Sequence, residues 1–336
     1  MKEGDSIQVK TKESTFTGIY MPSGSKTLNL KLKDGYNLSI LKEKIVSKKL
    51  IKKATIKKAT KSSTKLKSNP KLKNVMILHT GGTIASKVDY KTGGVVSKFT
   101  PQEIISMYPE LKDVVNIDAR LVGNMWSEDL RFAHYNLLAK EVAKEAKKRD
   151  GIIITQGTDT LAITAAALSF ILEGINIPVI LVGSQRSSDR GSSDAGMNLI
   201  KASEFISKTS FVGVAICMHE TSQDSSCAIL PPCKTRKMHS SRRNAFQVIN
   251  GKPIARVSNK IEYLAHYIKK DPKRKLTVKQ IKETLKIGIL KAHTNMFSQE
   301  IKMYENFNGL ILEGFGIGGH FPINKTDDLN KHHNSI

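Results

Sequence analysis

Short, continuously apolar segments that alternate with helical segments are the feature that most restricts the fold of this chain. From residue 75 onward, they occupy residues 75–79, 151–155, 178–182 and 211–216. A strand that is apolar at every position is buried on both faces, which is typical of a parallel sheet covered by helices. We therefore predict a doubly wound α/β domain over residues 75–265.

Two of the predicted strands end in similar polar motifs. Residues 80–85 read Thr-Gly-Gly-Thr-Ile-Ala, and residues 155–160 read Thr-Gln-Gly-Thr-Asp-Thr. Ligands of open α/β sheets bind beyond the carboxyl ends of the strands, so Thr83, Thr158 and Asp159 are candidate site residues. A threonine hydroxyl acts as a nucleophile only when a base takes its proton. Each motif, taken alone, also fits ordinary turn chemistry.

The first 74 residues differ from the rest of the chain in pattern and in charge. Residues 1–45 contain four short alternating segments separated by turn residues, which predicts a small β-barrel-like module. Residues 46–74 are rich in lysine, and residues 42–73 contain 13 lysines and one acidic residue. Such a run is typical of a solvated linker, and it is also suited to contact with RNA phosphates. Both interpretations remain open.

The overall charge and the cysteine pattern exclude several classes of protein. The formal net charge of +24 favours a polyanionic partner. No apolar run is long enough to span a membrane, and residues 1–5 lack the apolar core of a signal peptide. The cysteines (Cys217, Cys227 and Cys233) are odd in number and irregularly spaced, which fits neither a disulfide framework nor a metal knuckle. We expect a soluble, cytoplasmic protein.

Because of the two threonine motifs, residues 75–320 resemble the L-asparaginase/glutaminase family of amidohydrolases. Further matches are residues 127–130 (Ser-Glu-Asp-Leu) and residues 233–239, with Phe246 nine positions beyond Lys237. The resemblance implies Thr83 as nucleophile and a set of activating residues. The implied activating residues are Thr158, Asp159 and Lys237.

The same resemblance implies a substrate site and no metal. Ser127 and Asp159 would hold the amino and carboxylate groups of the substrate. Glu128 stands where many asparaginases have glutamine, and Tyr90 is a weaker match to the tyrosine of the family's mobile loop. The family's second domain normally continues well beyond residues 309–313. We therefore expect a linker at residues 266–285, a partial second α/β domain at residues 286–336, and a truncated chain.

Within this family, the sequence most resembles the GatD family, the ammonia-releasing subunits of archaeal glutamyl-tRNA(Gln) amidotransferases. The resemblance rests on the N-terminal module and on residues 236–243 (Arg-Lys-Met-His-Ser-Ser-Arg-Arg). It implies release of ammonia from glutamine or asparagine, which a GatE-like partner uses to convert Glu-tRNA(Gln) to Gln-tRNA(Gln). It also implies no cofactor in this chain, with ATP and Mg²⁺ in the partner. The alternatives are a free-standing asparaginase and a catalytically silent RNA-binding scaffold.

Overall fold

The structure is a computed structural model in which the chain forms two compact units, residues 1–280 and residues 281–336. It describes residues 4–21, 23, 26–32, 37–53, 68–82, 84, 86–88, 95–97, 101–186, 188, 192–323 and 327–330. Thr83 and Tyr90, both predicted site residues, lie outside the described residues. The two units are described one at a time below.

The chain begins with an antiparallel five-stranded sheet in the order β4-β3-β2-β1-β5. Its strands are β1 (Ser6–Thr11), β2 (Thr15–Met21), β3 (Thr27–Leu32), β4 (Asn37–Leu41) and β5 (Ile45–Lys52). Alternating apolar residues form its small core, which contains Ile7, Val9, Leu28, Leu30 and Ile40. The four predicted strands are all present.

The predicted boundary of this module at residue 45 is wrong by one strand. Residues 46–52, assigned to the linker, form most of β5, which pairs with β1 along its length. The strand was missed because most of its side chains are exposed and three of its eight residues are lysines. Only Ile45 and Leu50 pack against the core, so β5 carries little apolar alternation.

The first unit continues with a large α/β domain. Its strands are β6 (Asn74–His79), β7 (Ser86–Val88), β8 (Val95–Ser97), β9 (Asn116–Leu121), β10 (Gly151–Thr155), β11 (Leu172–Glu173), β12 (Pro178–Val182), β13 (Gly213–His219), β14 (Cys227–Leu230), β15 (Thr235–Lys237), β16 (Phe246–Val248), β17 (Ala255–Val257), β18 (Ile261–Tyr263) and β19 (Thr277–Val278). Its helices are α1 (Pro101–Met107), α2 (Phe132–Ala146), α3 (Leu161–Ile171) and α4 (Ala195–Lys208).

Eight of these strands form the central sheet, in the order β18-β17-β14-β13-β12-β10-β6-β9. The five strands from β13 to β9 are parallel, and β14, β17 and β18 are antiparallel. The prediction of a doubly wound parallel sheet is therefore confirmed for the strands that carry the apolar segments. The antiparallel strands that complete the sheet are three or four residues long, too short for a clear pattern.

Helices cover both faces of the sheet, as the uninterrupted apolar strands predict. Residues of α1 and α4 share one core cluster with Val75, Ile77 and Ile153. The alternate residues of β6 and β10, such as Met76 and Ile152, are buried as well. Alternation in a strand directs them to the opposite face, and α2 contacts β10 while α3 contacts β12 and β13.

The predicted linker at residues 266–285 belongs largely to the first unit. Val212 donates its backbone N–H to the carbonyl of Ile268, at 3.0 Å. Further along, β19 pairs with β11 in an antiparallel ladder. These backbone hydrogen bonds hold the segment on the domain although it has few apolar side chains, and the second unit begins at residue 281.

The second unit contains β20 (Ile287–Lys291), α5 (Ser298–Lys302) and β21 (Gly309–Glu313). The two strands are parallel and coincide with the two strands predicted for a partial second domain. Leu290, Ala292 and Met296 form a small buried cluster. Apolar side chains on the other face of the strands, including Ile289 and Ile311, are more than half exposed.

Two features of the described residues bear on function. None of the helices formed there is both long and apolar enough to cross a membrane. Across the same residues, no three His, Cys, Asp or Glu side chains come together in a way that could hold a metal ion.

His79, the last residue of β6, is fully buried beside the polar end of the sheet. Its Nδ1 lies 2.6 Å from Oγ1 of Thr155, its partner on β10. Burial lowers the pKa of His79 to about 4, because an imidazolium ion would lose its hydration there. The folded protein therefore keeps this imidazole neutral at pH values where the unfolded chain protonates it.

We predict that His79 makes the protein less stable as the pH falls from about 6.5 to about 4. The unfolded chain binds a proton in this range and the folded protein does not, so this residue should lower the free energy of unfolding by about 3 kcal/mol across the interval. The measurement is chemical denaturation at several pH values for the wild type and for His79→Gln. The free energy of unfolding of the variant should change less with pH than that of the wild type. An equal change in the two proteins would contradict the assignment of this pH dependence to His79.

Candidate active site

Lys237, Thr158 and Asp159 meet at the polar end of the central sheet. Lys237 ends β15, and the two other residues lie in the loop between β10 and α3. The Lys237 Nζ donates hydrogen bonds to Thr158 Oγ1 and to Asp159 Oδ1, each at 2.8 Å. The Lys237 side chain is 14% exposed and that of Asp159 is 67% exposed, so the lysine bridges the interior and the solvent.

Ser127 and Glu128 lie next to this group, on a short helical turn over Ser127–Asp129. Ser127 is buried, and its hydroxyl donates to Glu128 Oε2 at 3.3 Å. The Thr160 hydroxyl donates to the carbonyl of Ser127 at 2.7 Å, and Gln156 Nε2 donates to Thr160 Oγ1 at 3.2 Å. These bonds tie the turn to the loop after β10.

Glycines allow the three segments of the site to approach closely. Gly82 has φ of +87°, and a Cβ at this position would lie 2.6 Å from the backbone N of Gly157. A Cβ on Gly157 would in turn lie 2.9 Å from Cβ of Ser127. Any other residue at either position would push the segments apart. Gly82 belongs to the first threonine motif, so the described part of that motif lies against the loop that carries the second.

A cavity of about 470 Å³ opens at the point where these segments meet. Its lining includes Gly82, Asn124, Trp126, Ser127, Glu128, Gly157, Thr158, Asp159, Ser184, Gln185, Lys237 and Ser240. One cation and two carboxylates therefore face a single cavity among hydroxyl and amide groups. Of the predicted site residues, the structure brings together Ser127, Glu128, Thr158, Asp159 and Lys237.

The chemistry available to this group follows from its hydrogen bonds. An amine within hydrogen-bond distance of a hydroxyl can exchange a proton with it. The group is therefore able to carry a proton to or from the cavity. The carboxylates and hydroxyls around it can bind charged groups of a small ligand.

Gln185 is a site residue that sequence reasoning did not identify. It follows β12, lines the cavity, and donates from Nε2 to the carbonyls of His239, at 3.1 Å, and Arg242, at 3.0 Å. It thereby holds the loop that follows Lys237. Because 54 residues separate Gln185 from His239, the sequence provides no signal for this contact.

The buried carboxylate of Asp194 fixes Gln185 in turn. Asp194 is fully buried and accepts hydrogen bonds from Ser184 Oγ and from the backbone N–H groups of Gln185 and Arg186, at 2.9 to 3.0 Å. Asn198 Nδ2 also donates to it at 3.0 Å. This carboxylate therefore holds residues 184–186, including Gln185, in place.

A second chain of polar contacts reaches the far end of the Lys237 loop. Arg243 Nη1 donates to Asp224 Oδ1 at 2.6 Å, and the same oxygen lies 3.0 Å from Nε2 of the buried His219. The hydrogen bond from His219 and the charge of Arg243 lower the pKa of Asp224. His219 Nδ1 lies 2.6 Å from Asn198 Oδ1. The loop after Lys237 is thus held at both ends by groups that connect to Asp194.

Two family models match the chain. The model described as asparaginase, N-terminal, matches residues 74–269, and the model described as GatD N-terminal domain matches residues 1–51. Among solved structures, the chain is similar to the thermostable L-asparaginase from Thermococcus kodakarensis, with 27% identity, a TM-score of 0.65, and coverage of 73% of this chain and 72% of that one. It is also similar to L-asparaginase I from Vibrio cholerae, with 26% identity, a TM-score of 0.66, and coverage of 76% and 75%.

Relatives that match along nearly the whole chain share both of these parts. The GatD subunit of glutamyl-tRNA(Gln) amidotransferase from Methanococcus maripaludis is 38% identical, with 96% of this chain and 78% of the relative covered. The corresponding proteins from Archaeoglobus fulgidus and Thermococcus kodakarensis are 39% and 41% identical, with 98% and 95% of this chain and 78% and 75% of each relative covered. The chain therefore belongs to the GatD family of glutamyl-tRNA(Gln) amidotransferase subunits, whose central domain is that of the asparaginases.

Proposed function

We propose that this protein releases ammonia from glutamine or asparagine through a threonyl ester, and that a partner protein uses the ammonia to convert Glu-tRNA(Gln) to Gln-tRNA(Gln). The observation that carries the proposal is the pair of hydrogen bonds from Lys237 Nζ to Thr158 Oγ1 and Asp159 Oδ1. The family membership and the asparaginase neighbours support an amidohydrolase reaction at this site.

In the proposed reaction, the Thr83 hydroxyl attacks the side-chain amide carbon. Its proton passes to the Thr158–Lys237 pair, and the leaving nitrogen departs as ammonia with a proton from the same pair. Water then attacks the threonyl ester and releases aspartate or glutamate. Lys237 accepts a proton only in its neutral form, and the Asp159 carboxylate stabilises the ammonium that results.

The cavity is suited to an amino acid, which carries a positive ammonium group and a negative carboxylate group. We assign binding of the substrate's ammonium group to Asp159 and Glu128, because their carboxylates line the cavity. Ser127 would donate to the substrate carboxylate through its hydroxyl. Tyr90 is the weaker assignment, and it would correspond to the tyrosine of the family's mobile loop.

The support for a partner protein is less direct than the support for the amide chemistry. The relatives are named as one component of an amidotransferase, which supports a second, GatE-like component that handles the tRNA. ATP and Mg²⁺ would bind to that partner, and the reaction would take place in the cytoplasm. The net charge of +24 is consistent with assembly around a nucleic acid.

The experiment that tests the proposed function measures ammonia release from glutamine and from asparagine, with and without a GatE-like protein and tRNA. We expect hydrolysis of at least one amide, and transfer of the nitrogen to Glu-tRNA(Gln) when the partner and ATP are present. Hydrolysis that never couples to tRNA would indicate a free-standing asparaginase. Absence of hydrolysis under every condition would indicate a scaffold.

For Lys237, we predict that Lys237→Met lowers kcat by about 10²–10⁴-fold, because a general acid–base group typically contributes that much. The variant keeps an apolar stem of similar length and removes the amine. Steady-state kinetics separates the two possible roles. A higher KM with kcat unchanged would show that Lys237 binds substrate and relays no proton.

For Gln185, we predict that Gln185→Met lowers kcat by about tenfold or more, since small displacements of catalytic groups are costly. Gln247→Met is the matched control, because Gln247 Nε2 donates to the carbonyl of Asn244 within the β15–β16 hairpin and spans no separate segments. The control should retain its rate within about twofold. Equal losses in the two variants, or a loss confined to KM, would contradict a positioning role.

For the N-terminal region, we predict that deletion of residues 1–67 leaves amide hydrolysis intact and weakens coupling to tRNA. Residues 68–73 are retained because Asn69 and Lys73 hydrogen-bond to the large domain. A second variant, with the five lysines of residues 54–67 changed to glutamine, keeps the β module and removes the charge. Loss of hydrolysis on deletion would place the module in the catalytic fold.

A further inference from the structure

A cleft of about 490 Å³ lies at the amino end of β12, the end of the sheet opposite to the amide site. Its lining is mostly apolar and comes from the last turns of α2, from the segment just before β12, and from residues 274–278. The apolar lining residues are Ala143, Ala146, Ile175, Ile177, Leu276 and Val278. A partner in this cleft would leave the access to Lys237 and Thr158 open.

The segment before β12 and the segment that leads to residues 274–278 are held together by hydrogen bonds between a side chain and the backbone. Asn176 Nδ2 donates to the carbonyl of Asp271 at 2.8 Å, and the N–H of Asp271 donates back to Asn176 Oδ1 at 3.0 Å. Gly174, with φ of +73°, lets residues 274–278 approach, because a Cβ there would collide with the carbonyl oxygen of Lys275. The cleft is therefore formed before any partner binds, which reduces the entropy cost of binding.

The rim of the cleft is cationic. It carries Lys147, Arg274 and Lys275. Within the part of the chain that the structure describes, none of the three forms an ion pair. Glu145, two residues from Lys147 in the sequence, instead pairs with Arg120, Lys148 and Arg149. Asp271, three residues from Arg274, uses its side chain to accept the backbone N–H of Lys273 at 2.9 Å. An apolar floor thus lies beneath three unneutralised cations.

The possible occupants differ in how well they match this surface. Residues 54–67 of this chain contain five lysines and no acidic residue, and a second copy carries the same net charge of +24, so both are repelled by the rim. RNA would satisfy the cations, but the aliphatic floor offers no aromatic ring on which a base could stack. A protein segment with aliphatic side chains flanked by carboxylates matches both the floor and the rim.

We propose that this cleft docks an acidic amphipathic segment of a partner protein. Aliphatic side chains of the segment occupy the space over Ile175 and Ile177, and its carboxylates pair with Lys147, Arg274 and Lys275. The surface lies at the amino ends of the parallel strands, so docking and amide hydrolysis use separate faces of the same domain. Docking at this cleft does not depend on the amide chemistry at the other end of the sheet.

The test measures binding of a labelled peptide of about 15 residues, with leucine and glutamate at helical spacing, to the full chain by fluorescence anisotropy. The rim variant is Lys147→Glu with Lys275→Glu. The matched control is Lys252→Glu with Lys260→Glu, which makes the same charge change at exposed lysines that do not line the cleft. A third variant, Ala146→Gln, places a polar side chain on the floor without changing charge.

We expect the rim variant to weaken binding by about tenfold or more, the control by less than about threefold, and Ala146→Gln by an intermediate amount. Equal effects of the rim and control variants would overturn the proposal. So would equally tight binding of a polyglutamate peptide, because the floor would then contribute nothing. Stronger, rim-dependent binding of an RNA hairpin would assign the surface to nucleic acid instead. Asparagine hydrolysis by the same preparations reports separately on the amide site.

Discussion

The hydrogen bonds of the Lys237 amine are the interaction on which the rest of the site depends. They join β15 to Thr158 and Asp159, which lie 79 and 78 residues earlier in the sequence. The amine therefore has a hydroxyl on one side and a carboxylate on the other. A lysine that is mostly buried must have such partners, because an unpaired cation would lose its hydration. The bonds to Thr158 and Asp159 therefore stabilise the Lys237 amine, and the proposed proton transfer would use the same contact with Thr158.

Holding Lys237 in place requires much of the large domain. Parallel strands bring the two threonine motifs to one edge, and glycines let their backbones meet. Behind them, the buried carboxylate of Asp194 fixes Gln185, which in turn holds the loop after Lys237. A buried charge is tolerated only when it is fully hydrogen-bonded, and Asp194 accepts four hydrogen bonds. The precision of the site thus rests on a group that does not touch the cavity.

The sequence predicted the strands that are buried on both faces of the central sheet. The apolar segments identified four of the five parallel strands, and the Gly-Thr motifs identified the loop of Thr158 and Asp159. The fifth parallel strand, β9, has few buried side chains and was not predicted. Three further features were missed or misplaced because their signals are weak or non-local. β5 is lysine-rich and exposed, the segment after residue 265 is held by backbone hydrogen bonds, and Gln185 acts on carbonyls more than fifty residues away. The assignment of Lys237 came from family resemblance, since no local pattern indicates its contact with Thr158.

The central claim is that Thr158 and Lys237 act as one proton-transfer unit, and a double-mutant cycle on kcat tests it most directly. The variants are Thr158→Val, Lys237→Met and the two together, each assayed at saturating substrate after thermal unfolding confirms that it is folded. If the pair acts as a unit, the double variant should be no slower than the slower single variant within about threefold, because the first change already breaks the unit. Losses that multiply would show that the two residues act independently and would contradict the account.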